Sequence, residues 1–427
     1  MVHRSRRRFL HVSATALAVG SSGCLGGSRP AAEAAERQID HGTAPRAGAW
    51  PNASYDARNT RHNPTASPPR STPTTEWSVS LSGVTSSVVV GPEFVYASSE
   101  EATVAVAPDG TEQWRAEVGG GLTYVEGRLY VAADMLVALG ADTGEEIWRG
   151  PDGMDPHSVS ESSGTVYVTE REALRGLHAD SGEERWGIST ARYPRLVADS
   201  RQVCVVTGDR VRFLEAGTVE TSVFNEPGPR VVQTLEPGWS PEIVSATLLE
   251  GSFYLGQVGD SVADLQATAR QFHLITTDER WVTPYDWSGV SALAVDADRI
   301  YAVPYHATLD PLESSVVALD RETGAKQWHD DGDLLGTPAV GGGVVVAGGA
   351  HPGSPSVCVS EGEDTETDET CSNGESAAGS GVLRALDAAT GERLWTVEPG
   401  ASFGSYPLAL VDERIYYGDA DGVHALA

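Results

Sequence analysis

Positive charge is scarce in this chain. The 427 residues include one lysine, Lys326, and 30 basic residues in all against 60 acidic ones, so the formal net charge at pH 7 is −30. Nucleic acids and acidic membrane faces are bound by clustered cations, so the composition argues against both as partners. The uncompensated charges repel one another in dilute buffer, whereas about 1 M salt shortens the Debye length to roughly 3 Å. The composition predicts a protein suited to concentrated salt; the alternative is an ordinary acidic secreted protein.

Long apolar runs are also absent. No stretch of the chain reaches the roughly 18 apolar residues that a membrane-spanning helix needs. The first 24 residues instead contain Ser5–Leu10, which matches the twin-arginine export pattern S-R-R-x-F-L, then a short apolar run, and then a lipobox-like sequence that ends at Cys24. We therefore predict a signal peptide at 1–24 and a lipid on Cys24, which would hold the chain on the extracellular side of the cytoplasmic membrane. A cleaved signal without a lipid is the alternative.

Cysteine is rare as well, with four in the chain. Cys358 and Cys371 flank an acidic insertion at 351–381, and in an exported protein we expect them to form a disulfide. The carboxylates of this insertion could serve a calcium loop, but their spacing does not match D-x-D-x-D-G. A solvated acidic loop is therefore the favoured interpretation. Cys204 replaces an aromatic residue in an apolar strand pattern and is expected to be a buried thiol.

Helical periodicity is absent, whereas a β-type repeat recurs. Its clearest element is Gly-x-x-x-Trp, which follows the pattern A-L-D-x-x-T-G in the fuller copies at 318–328 and 385–395. Asp and Thr side chains bond to turn backbones and Gly accepts a positive φ, so the motif predicts a tight hairpin and then a strand that carries the Trp. The large ring can pack against a neighbouring unit. The tryptophans that we expect to dock neighbouring units are Trp77, Trp114, Trp148, Trp186, Trp281, Trp328 and Trp395.

A second element, a short apolar strand with a central aromatic residue, accompanies these hairpins. It occurs at Tyr96, Tyr130, Tyr167, Tyr254, Tyr301 and Tyr416, and in degenerate form at Cys204 and Val345. Each interval has room for four strands of about five or six residues. The repeat predicts an all-β fold, an eight-bladed β-propeller of four-stranded antiparallel blades. The last copy lacks a Trp strand and the Trp77 strand lacks a hairpin, so we expect this N-terminal strand to pair with the last blade and close the ring.

The expected organisation has three regions. The signal peptide occupies 1–24, a flexible linker and lead-in segment occupies 25–73, and the propeller occupies 74–427. The linker is rich in Ala, Pro, Arg, Ser and Thr and has little hydrophobic periodicity. It contains the sequon Asn52-Ala53-Ser54, so Asn52 is a predicted glycosylation site.

Motifs that resemble catalytic sites have structural explanations. The D-T-G triplet at 142–144 lies in a repeat turn and has no second copy to form an aspartic-protease dyad. The segment 400–404 fits G-x-S-x-G, but a strand rather than a helix is expected after it. The 11 histidines show no zinc-binding spacing, and His178 occupies the turn position of Asp320. We therefore assign no catalytic, cofactor-binding or metal-binding residue.

The A-L-D-x-x-T-G-x-x-x-W repeat resembles the pyrroloquinoline-quinone-type, or quinoprotein-like, propeller repeat over about residues 75–427. Trp50-Pro51, Asp56, Asn59-Thr60 and Asn63-Pro64 also resemble the segment that leads into such propellers. The near-absence of lysine resembles proteins of halophilic archaea. The family includes quinoprotein dehydrogenases and the lipoprotein scaffold of the bacterial outer-membrane assembly machine, so the resemblance implies a fold more strongly than a function.

We expect a lipid-anchored propeller that binds or scaffolds protein partners in the cell envelope, without catalysis or a cofactor. The first alternative is a quinoprotein-like dehydrogenase, for which the resemblance implies pyrroloquinoline quinone and calcium in the central region. The chain lacks the adjacent cysteine pair of many such enzymes. Its acidic balance also argues against the cation cluster that a polyanionic quinone needs, although Arg192 and Arg195 are candidates. The further alternative is a sensor for an extracellular ligand.

Overall fold

The fold is described from a computed structural model of the chain. The structure describes residues 45–191, 193–198, 202–207, 210–222, 225–235, 243–249, 252–257, 267–273, 279–285, 289–305, 316–330, 336–350, 381–399 and 406–427. The predicted sites Cys24, Cys358 and Cys371 lie outside these residues, as does the segment 400–404. No helix in the described part of the chain is long and apolar enough to cross a membrane.

The described residues form eight sheets of mainly antiparallel strands. Sheets 1 to 7 each contain four strands that follow one another in the chain, and sheet 8 contains three. Sheets 7 and 8 each gain one further strand from an earlier part of the chain. Sheet 1 contains Ser87–Val90, Val95–Ser98, Thr103–Val106 and Glu112–Ala116; sheet 2 contains Gly121–Val125, Arg128–Ala132, Leu136–Gly140 and Glu146–Arg149; sheet 3 contains Ser158–Ser162, Thr165–Thr169, Ala173–His178 and Glu184–Ser189; sheet 4 contains Arg195–Ala198, Gln202–Thr207, Arg210–Ser222 and Asn225–Leu235. Sheet 5 contains Ile243–Leu249, Ser252–Gln257, Ala267–His273 and Glu279–Tyr285; sheet 6 contains Gly289–Val295, Arg299–Tyr305, Val317–Asp320 and Lys326–His329; sheet 7 contains Ala339–Gly341, Val344–Ala350, Gly381–Asp387 and Arg393–Val397; sheet 8 contains Leu408–Val411, Arg414–Gly418 and Gly422–Leu426.

The sheets follow one another around a common centre. The first strand of each sheet lies beside the first strand of the next sheet, and the first strand of sheet 8 lies beside that of sheet 1. Most of the buried Val, Leu, Ala and Tyr side chains lie on the first three strands of each sheet. The core is therefore divided among the interfaces between successive sheets, as in a β-propeller.

Two segments from before sheet 1 join the last two sheets. The strand Thr75–Ser80 pairs antiparallel with Gly422–Leu426, with Trp77 opposite Ala425, and so becomes the fourth strand of sheet 8. The short strand His62–Asn63 pairs parallel with Ala339–Gly341 and makes sheet 7 five-stranded. Both additions connect residues about 280 to 350 positions apart, so they join the two ends of the described chain.

The repeat tryptophans lie between neighbouring sheets. Within six sheets the Trp ring is 5.7 to 6.5 Å from the ring of the repeat tyrosine. In addition, six indole N–H groups donate to carbonyl oxygens outside their own sheet: Trp77 to Pro108, Trp114 to Ala141, Trp148 to Ala179, Trp281 to Arg321, Trp328 to Ala388 and Trp395 to Pro69, at 2.8 to 3.1 Å. A buried indole N–H needs such a partner, so each bond fixes the position of one sheet against its neighbour.

The bond of Trp395 shows how the lead-in segment substitutes for a missing turn. In five of these bonds the acceptor belongs to the turn before the fourth strand of the next sheet. Sheet 8 has no such turn, because its fourth strand comes from the N-terminal side, and the acceptor is Pro69. The neighbouring Arg70 forms an ion pair with Asp387 in the turn of sheet 7. Residues 69–70 therefore occupy the place of the absent turn.

Candidate functional site

The lead-in segment crosses one end of the central channel around which the first strands lie. Its backbone bonds in succession to the first strands of sheets 1, 2, 4, 5, 6 and 7 and to Asp412, which directly follows the first strand of sheet 8. The bonds, donor first, are Val90 N to Trp50 O, Tyr124 N to Pro51 O, Ala198 N to Ala57 O, Leu248 N to Arg58 O, Val295 N to Thr60 O, Val340 N to Arg61 O and Ser67 N to Asp412 O, at 2.6 to 3.0 Å. Most of the strand partners are at or beside the last residue of their strand, so the segment covers that end of the channel.

Buried side chains hold this segment in place. Trp50 is fully buried and its ring centroid is 5.0 Å from that of Tyr55, which is also buried. Burial, followed in size by the nearby Asp56 carboxylate, raises the pKa of Tyr55 to about 12. Asn59 Nδ2 donates to the Leu196 carbonyl at 2.9 Å, and Asn63 Nδ2 donates to the Leu410 carbonyl at 2.8 Å. The segment is thus packed into the fold from Trp50 to Asn63.

Local polar bonds shape the turn at 54–61. Asp56 Oδ1 accepts from the backbone N–H of Thr60 at 3.0 Å, and Asp56 Oδ2 accepts from Arg58 Nε at 2.8 Å. Asn59 adopts a positive φ of 59°, a conformation that Asn tolerates better than most residues. These contacts explain the Asp and Asn residues noted in the sequence.

Asn52 lies at the channel. It forms isolated β-bridges with Tyr55 and Thr123, and its Oδ1 accepts from the Ser54 backbone N–H at 2.8 Å. It lines a cavity of about 200 Å³ together with residues of sheets 1 to 4. The predicted glycosylation site is therefore half-buried, with its side-chain oxygen engaged in a local turn.

A larger cavity of about 390 Å³ opens beside the lead-in segment, and we call it the channel cavity. Its floor is formed by Ser54, Asn59 and Arg61 of the lead-in segment. Its walls come mainly from the first strands of sheets 3 to 6. The wall residues are His157, Ser158, Thr169, Tyr193, Pro194, Arg195, Leu196, Ser245, Ala246, Thr247, Ala292, Leu293 and Thr337. Two arginines, one histidine and several hydroxyl groups line it, and no Asp or Glu is among these described lining residues.

Arg61 is the cation on the floor of the channel cavity. Its Nη1 donates to the Ala53 carbonyl at 3.2 Å. Burial lowers the pKa of Arg61 to about 10, which still leaves the group positively charged at neutral pH. Arg58 and Arg70 of the same segment are paired with Asp56 and Asp387, whereas no carboxylate of the described residues lies within 4 Å of Arg61.

Sequence reasoning found only part of this site. It named Arg195, which lies exposed at the cavity wall, and Arg192, which lies outside the described residues. It missed Arg61 and His157, because neither belongs to a motif and they become neighbours only through folding. The acidic composition argued against a cluster of cations for a quinone, and this stays a prediction; Arg61 and Arg195 both line the channel cavity.

The turn motifs lie at the outer edges of the sheets. Asp142 is exposed in the turn of sheet 2, and Gly144 of the same triplet packs under the Trp114 ring. In the turn of sheet 6, Asp320 Oδ1 accepts from the Thr323 N–H and hydroxyl, and these bonds lower the pKa of Asp320. His178 is exposed at the matching position in sheet 3. Among the described residues, no three His, Cys, Asp or Glu side chains come together as a metal site.

A serine, a histidine and an aspartate, residue types that form catalytic triads, are joined by hydrogen bonds in sheet 8, and no sequence motif predicts this. Ser78 Oγ lies 2.8 Å from His424 Nδ1, and His424 Nε2 lies 2.8 Å from Asp419 Oδ1. Asp419 is buried and also accepts from the backbone N–H groups of Asp421 and Gly422, while the His424 ring stacks on Tyr417. Ser78 is exposed on the outer strand of sheet 8 and lines neither cavity. This series of hydrogen bonds from Ser78 through His424 to Asp419 is a contact between the paired strands Thr75–Ser80 and Gly422–Leu426.

Comparisons with known proteins agree with this architecture. A family model described as outer membrane protein assembly factor BamB matches residues 100–234. No curated protein matches the chain. Among solved structures, BamB from Moraxella catarrhalis has a TM-score of 0.60 at 18% identity over 83% of this chain and 97% of that chain. The quinohemoprotein alcohol dehydrogenase from Comamonas testosteroni has a TM-score of 0.57 at 14% identity over 93% of this chain and 84% of that chain.

At these identities the solved structures establish the fold alone. The matched family model is described as an assembly factor and the Comamonas structure as an alcohol dehydrogenase, so fold similarity does not select between these functions. The repeat motif, the successive four-stranded sheets and these similarities together support a β-propeller of the pyrroloquinoline-quinone-repeat type.

Proposed function

We propose that the chain is a closed eight-bladed β-propeller that acts as a binding or scaffolding protein in the cell envelope, held at the membrane by a lipid on Cys24 after twin-arginine export. The eight described sheets and the pairing of Thr75–Ser80 with the last strand support the closed ring. The matched family model, with its printed description as an assembly factor, supports the scaffolding role.

The observation that carries this proposal is the path of the lead-in segment. It bonds to the first strands of six sheets and to Asp412 after the first strand of sheet 8, and it covers one end of the channel, so we expect a protein partner at the outer strands and turns. Large apolar side chains are exposed on two of those outer strands, Ile147 in sheet 2 and Val231 and Val232 in sheet 4. These outer strands are therefore the positions at which contact with another protein is tested.

Site-specific photo-cross-linking in intact cells tests the proposal. A photoreactive residue at Ile147 or Val232 should give a reproducible adduct with one envelope protein, and capture through that partner should recover this chain. The same residue at the exposed Glu183, in the turn of sheet 3, is the matched surface control. Absence of a defined adduct at both apolar positions in folded, membrane-bound protein would contradict the scaffold.

The lipid anchor is tested in the same cells. Cys24→Ser should release the chain from the membrane fraction, because the serine cannot receive the thioether-linked lipid. The adduct yield should then fall, since tethering raises the local concentration of a membrane-associated partner. An unchanged membrane fraction for this variant would contradict the anchor.

A quinoprotein-like dehydrogenase is the second candidate, and the cations of the channel cavity are the observation in its favour. Arg61, Arg195 and His157 could contact an anionic quinone. The rest of the donor set fits the cofactor poorly. The described lining offers no carboxylate for calcium, which prefers oxygen ligands such as Asp and Glu. We therefore derive no reaction step through the quinone.

Reconstitution separates the two candidates. Purified protein in multimolar salt is incubated with pyrroloquinoline quinone and calcium, and dye-linked oxidation of alcohols and sugars is measured. We expect neither stoichiometric binding nor turnover. Stoichiometric binding together with turnover would establish the dehydrogenase instead.

A further inference from the structure

The channel cavity contains an arginine, Arg61, that has no carboxylate partner among the described residues. In a chain with twice as many acidic as basic residues, its described lining contains Arg61, Arg195 and His157 and no carboxylate. Arg61 contacts the Ala53 carbonyl and no carboxylate of the described residues, although Arg58 and Arg70 in the same segment both have carboxylate partners. His157 Nε2 lies 3.8 Å from Asp155 Oδ2, whereas Arg61 has no such carboxylate neighbour among the described residues.

Placing an unpaired guanidinium on a half-buried floor costs free energy. Removing a charged group from water is unfavourable unless an opposite charge or a full set of hydrogen bonds replaces the water. One carbonyl leaves most of the five guanidinium N–H donors for water or a ligand in the cavity. An oxyanion would satisfy both the charge and the donors, and guanidinium–carboxylate or guanidinium–phosphate pairs can be bidentate.

The shape and the remaining lining define the ligand further. Asn59 and the hydroxyl groups of Ser54, Ser158 and Thr247 offer additional hydrogen bonds around Arg61. The volume of about 390 Å³ is within the range of small-molecule sites. The described rings in the lining are those of His157 and Tyr193, whose centroids lie 5.8 Å apart. Polar side chains outnumber these two rings in the lining, which favours a polar anion.

We propose that the channel cavity binds a compact soluble metabolite that carries carboxylate or phosphate groups, with one oxyanion on Arg61 and the rest of the molecule directed towards Arg195 and His157 at the wall. This binding site is independent of the proposed protein partner. It adds a small-ligand function to the inner surface of the propeller, whereas the scaffold role uses the outer surface.

Isothermal titration calorimetry with citrate and with inorganic phosphate tests the proposal on the full chain. Titrations are run at constant ionic strength in concentrated chloride, so that general screening does not change between injections. The variants are Arg61→Gln, which removes the charge, and Arg149→Gln, which removes a surface arginine that pairs with Glu146. Arg61 has a positive φ of 51°, and Gln adds no backbone strain beyond that of Arg because both are non-glycine residues.

We expect saturable one-to-one binding of at least one of the two anions by the parent and by Arg149→Gln, and affinity at least about tenfold weaker for Arg61→Gln, since hydrogen bonds to charged groups are worth about 1.5–3 kcal/mol. The unfolding midpoint of Arg61→Gln without ligand should equal or exceed that of the parent, which separates lost binding from lost folding. Equal affinity of the parent and Arg61→Gln would overturn the proposal. So would a lack of saturable binding of both anions, or saturable binding of pyrroloquinoline quinone alone. None of these results affects the cross-linking test of the protein partner.

Discussion

At the scale of the residue, the repeat is explained by the contact between a glycine and a tryptophan of the preceding sheet. Gly110, Gly144, Gly182 and Gly391 have φ values of 70° to 88°, and a Cβ built on any of them would lie 2.4 to 2.7 Å from an indole atom. Two requirements therefore coincide at each position: a left-handed backbone for the hairpin and no side chain beneath the ring. In each of these four Gly-x-x-x-Trp motifs, the glycine therefore contacts the Trp of the preceding sheet. The Trp of the same motif lies on the next strand of the glycine's own sheet.

Two glycine substitutions separate these requirements. Gly144 and Gly164 have nearly the same φ, 70° and 71°, but a Cβ at Gly144 would meet the Trp114 ring at 2.6 Å, whereas one at Gly164 would meet nothing within 4 Å. Gly164→Ala should lower the free energy of unfolding by about 1–2 kcal/mol through backbone strain alone. Gly144→Ala should cost about 1–3 kcal/mol more because the ring must shift. Urea unfolding measures both, and equal losses would show that the ring contact adds nothing.

At the scale of the element, the lead-in segment is part of the folded propeller. It has little regular secondary structure, and its stability comes from buried side chains and from backbone bonds to six different sheets and to Asp412. Such an element resists local unfolding, because releasing it breaks contacts all around the channel.

Substitutions at Trp50 test the contribution of this segment. Trp50→Ala should cost about 3–5 kcal/mol, the usual range for truncation of a fully buried large ring. Trp50→Phe should cost less, because it keeps most of the apolar contact and removes an indole N–H that has no partner among the described groups. Ala53 is exposed in the same segment, and Ala53→Ser should change the free energy of unfolding by less than about 0.5 kcal/mol. A small loss for Trp50→Ala, similar to that of the control, would mean that the propeller does not need the lead-in segment.

The strand Thr75–Ser80 is a second element that joins the two ends of the described chain. Deleting 74–80 removes its ladder with Gly422–Leu426 and leaves the last strand as an open edge, so we expect a loss of several kcal/mol. Trp77→Ala keeps the ladder but removes the ring that packs on Gly110 and the bond to Pro108, and it should cost about 2–4 kcal/mol. Thermal unfolding in concentrated salt distinguishes the two. An unchanged unfolding midpoint after the deletion would rule out closure by this strand.

At the scale of the whole molecule, the net charge of −30 dominates the response to the solvent. The ion pairs of the described residues engage only part of the carboxylates, so self-repulsion remains and must be screened by ions. The Debye length falls from about 10 Å at 0.1 M to about 3 Å at 1 M salt, which is shorter than most distances between surface charges.

The unfolding temperature should therefore rise with NaCl between 0.1 M and multimolar concentration at pH 7. The increase should become smaller near pH 4.6, the isoelectric point of the sequence, because protonation removes much of the repulsion there. Thermal scans at the two pH values measure the difference. A salt effect of the same size at both would indicate general salting-out rather than charge screening.

The sequence by itself determined the features that depend on neighbouring residues. Asp320 bonds to Thr323 three residues away, and Gly144 adopts its left-handed backbone within a four-residue turn, so the hairpins can be read directly from the A-L-D-x-x-T-G pattern. Because the pattern recurs, it also predicts the repeated β-units and the propeller class. Composition similarly determines the net charge, which is a sum and does not depend on the fold.

Only the tertiary structure decided the arrangement of the channel. Asn63 bonds to Leu410 and Thr247 to Asn59 across separations of 347 and 188 residues, and no periodicity marks such contacts because the lead-in segment has no repeat. The same holds for Arg61, which lines the channel cavity together with Arg195 in a chain whose average charge is negative. An average over 427 residues cannot locate a cluster, since the local charge of a cavity depends on which few side chains the folded backbone brings together.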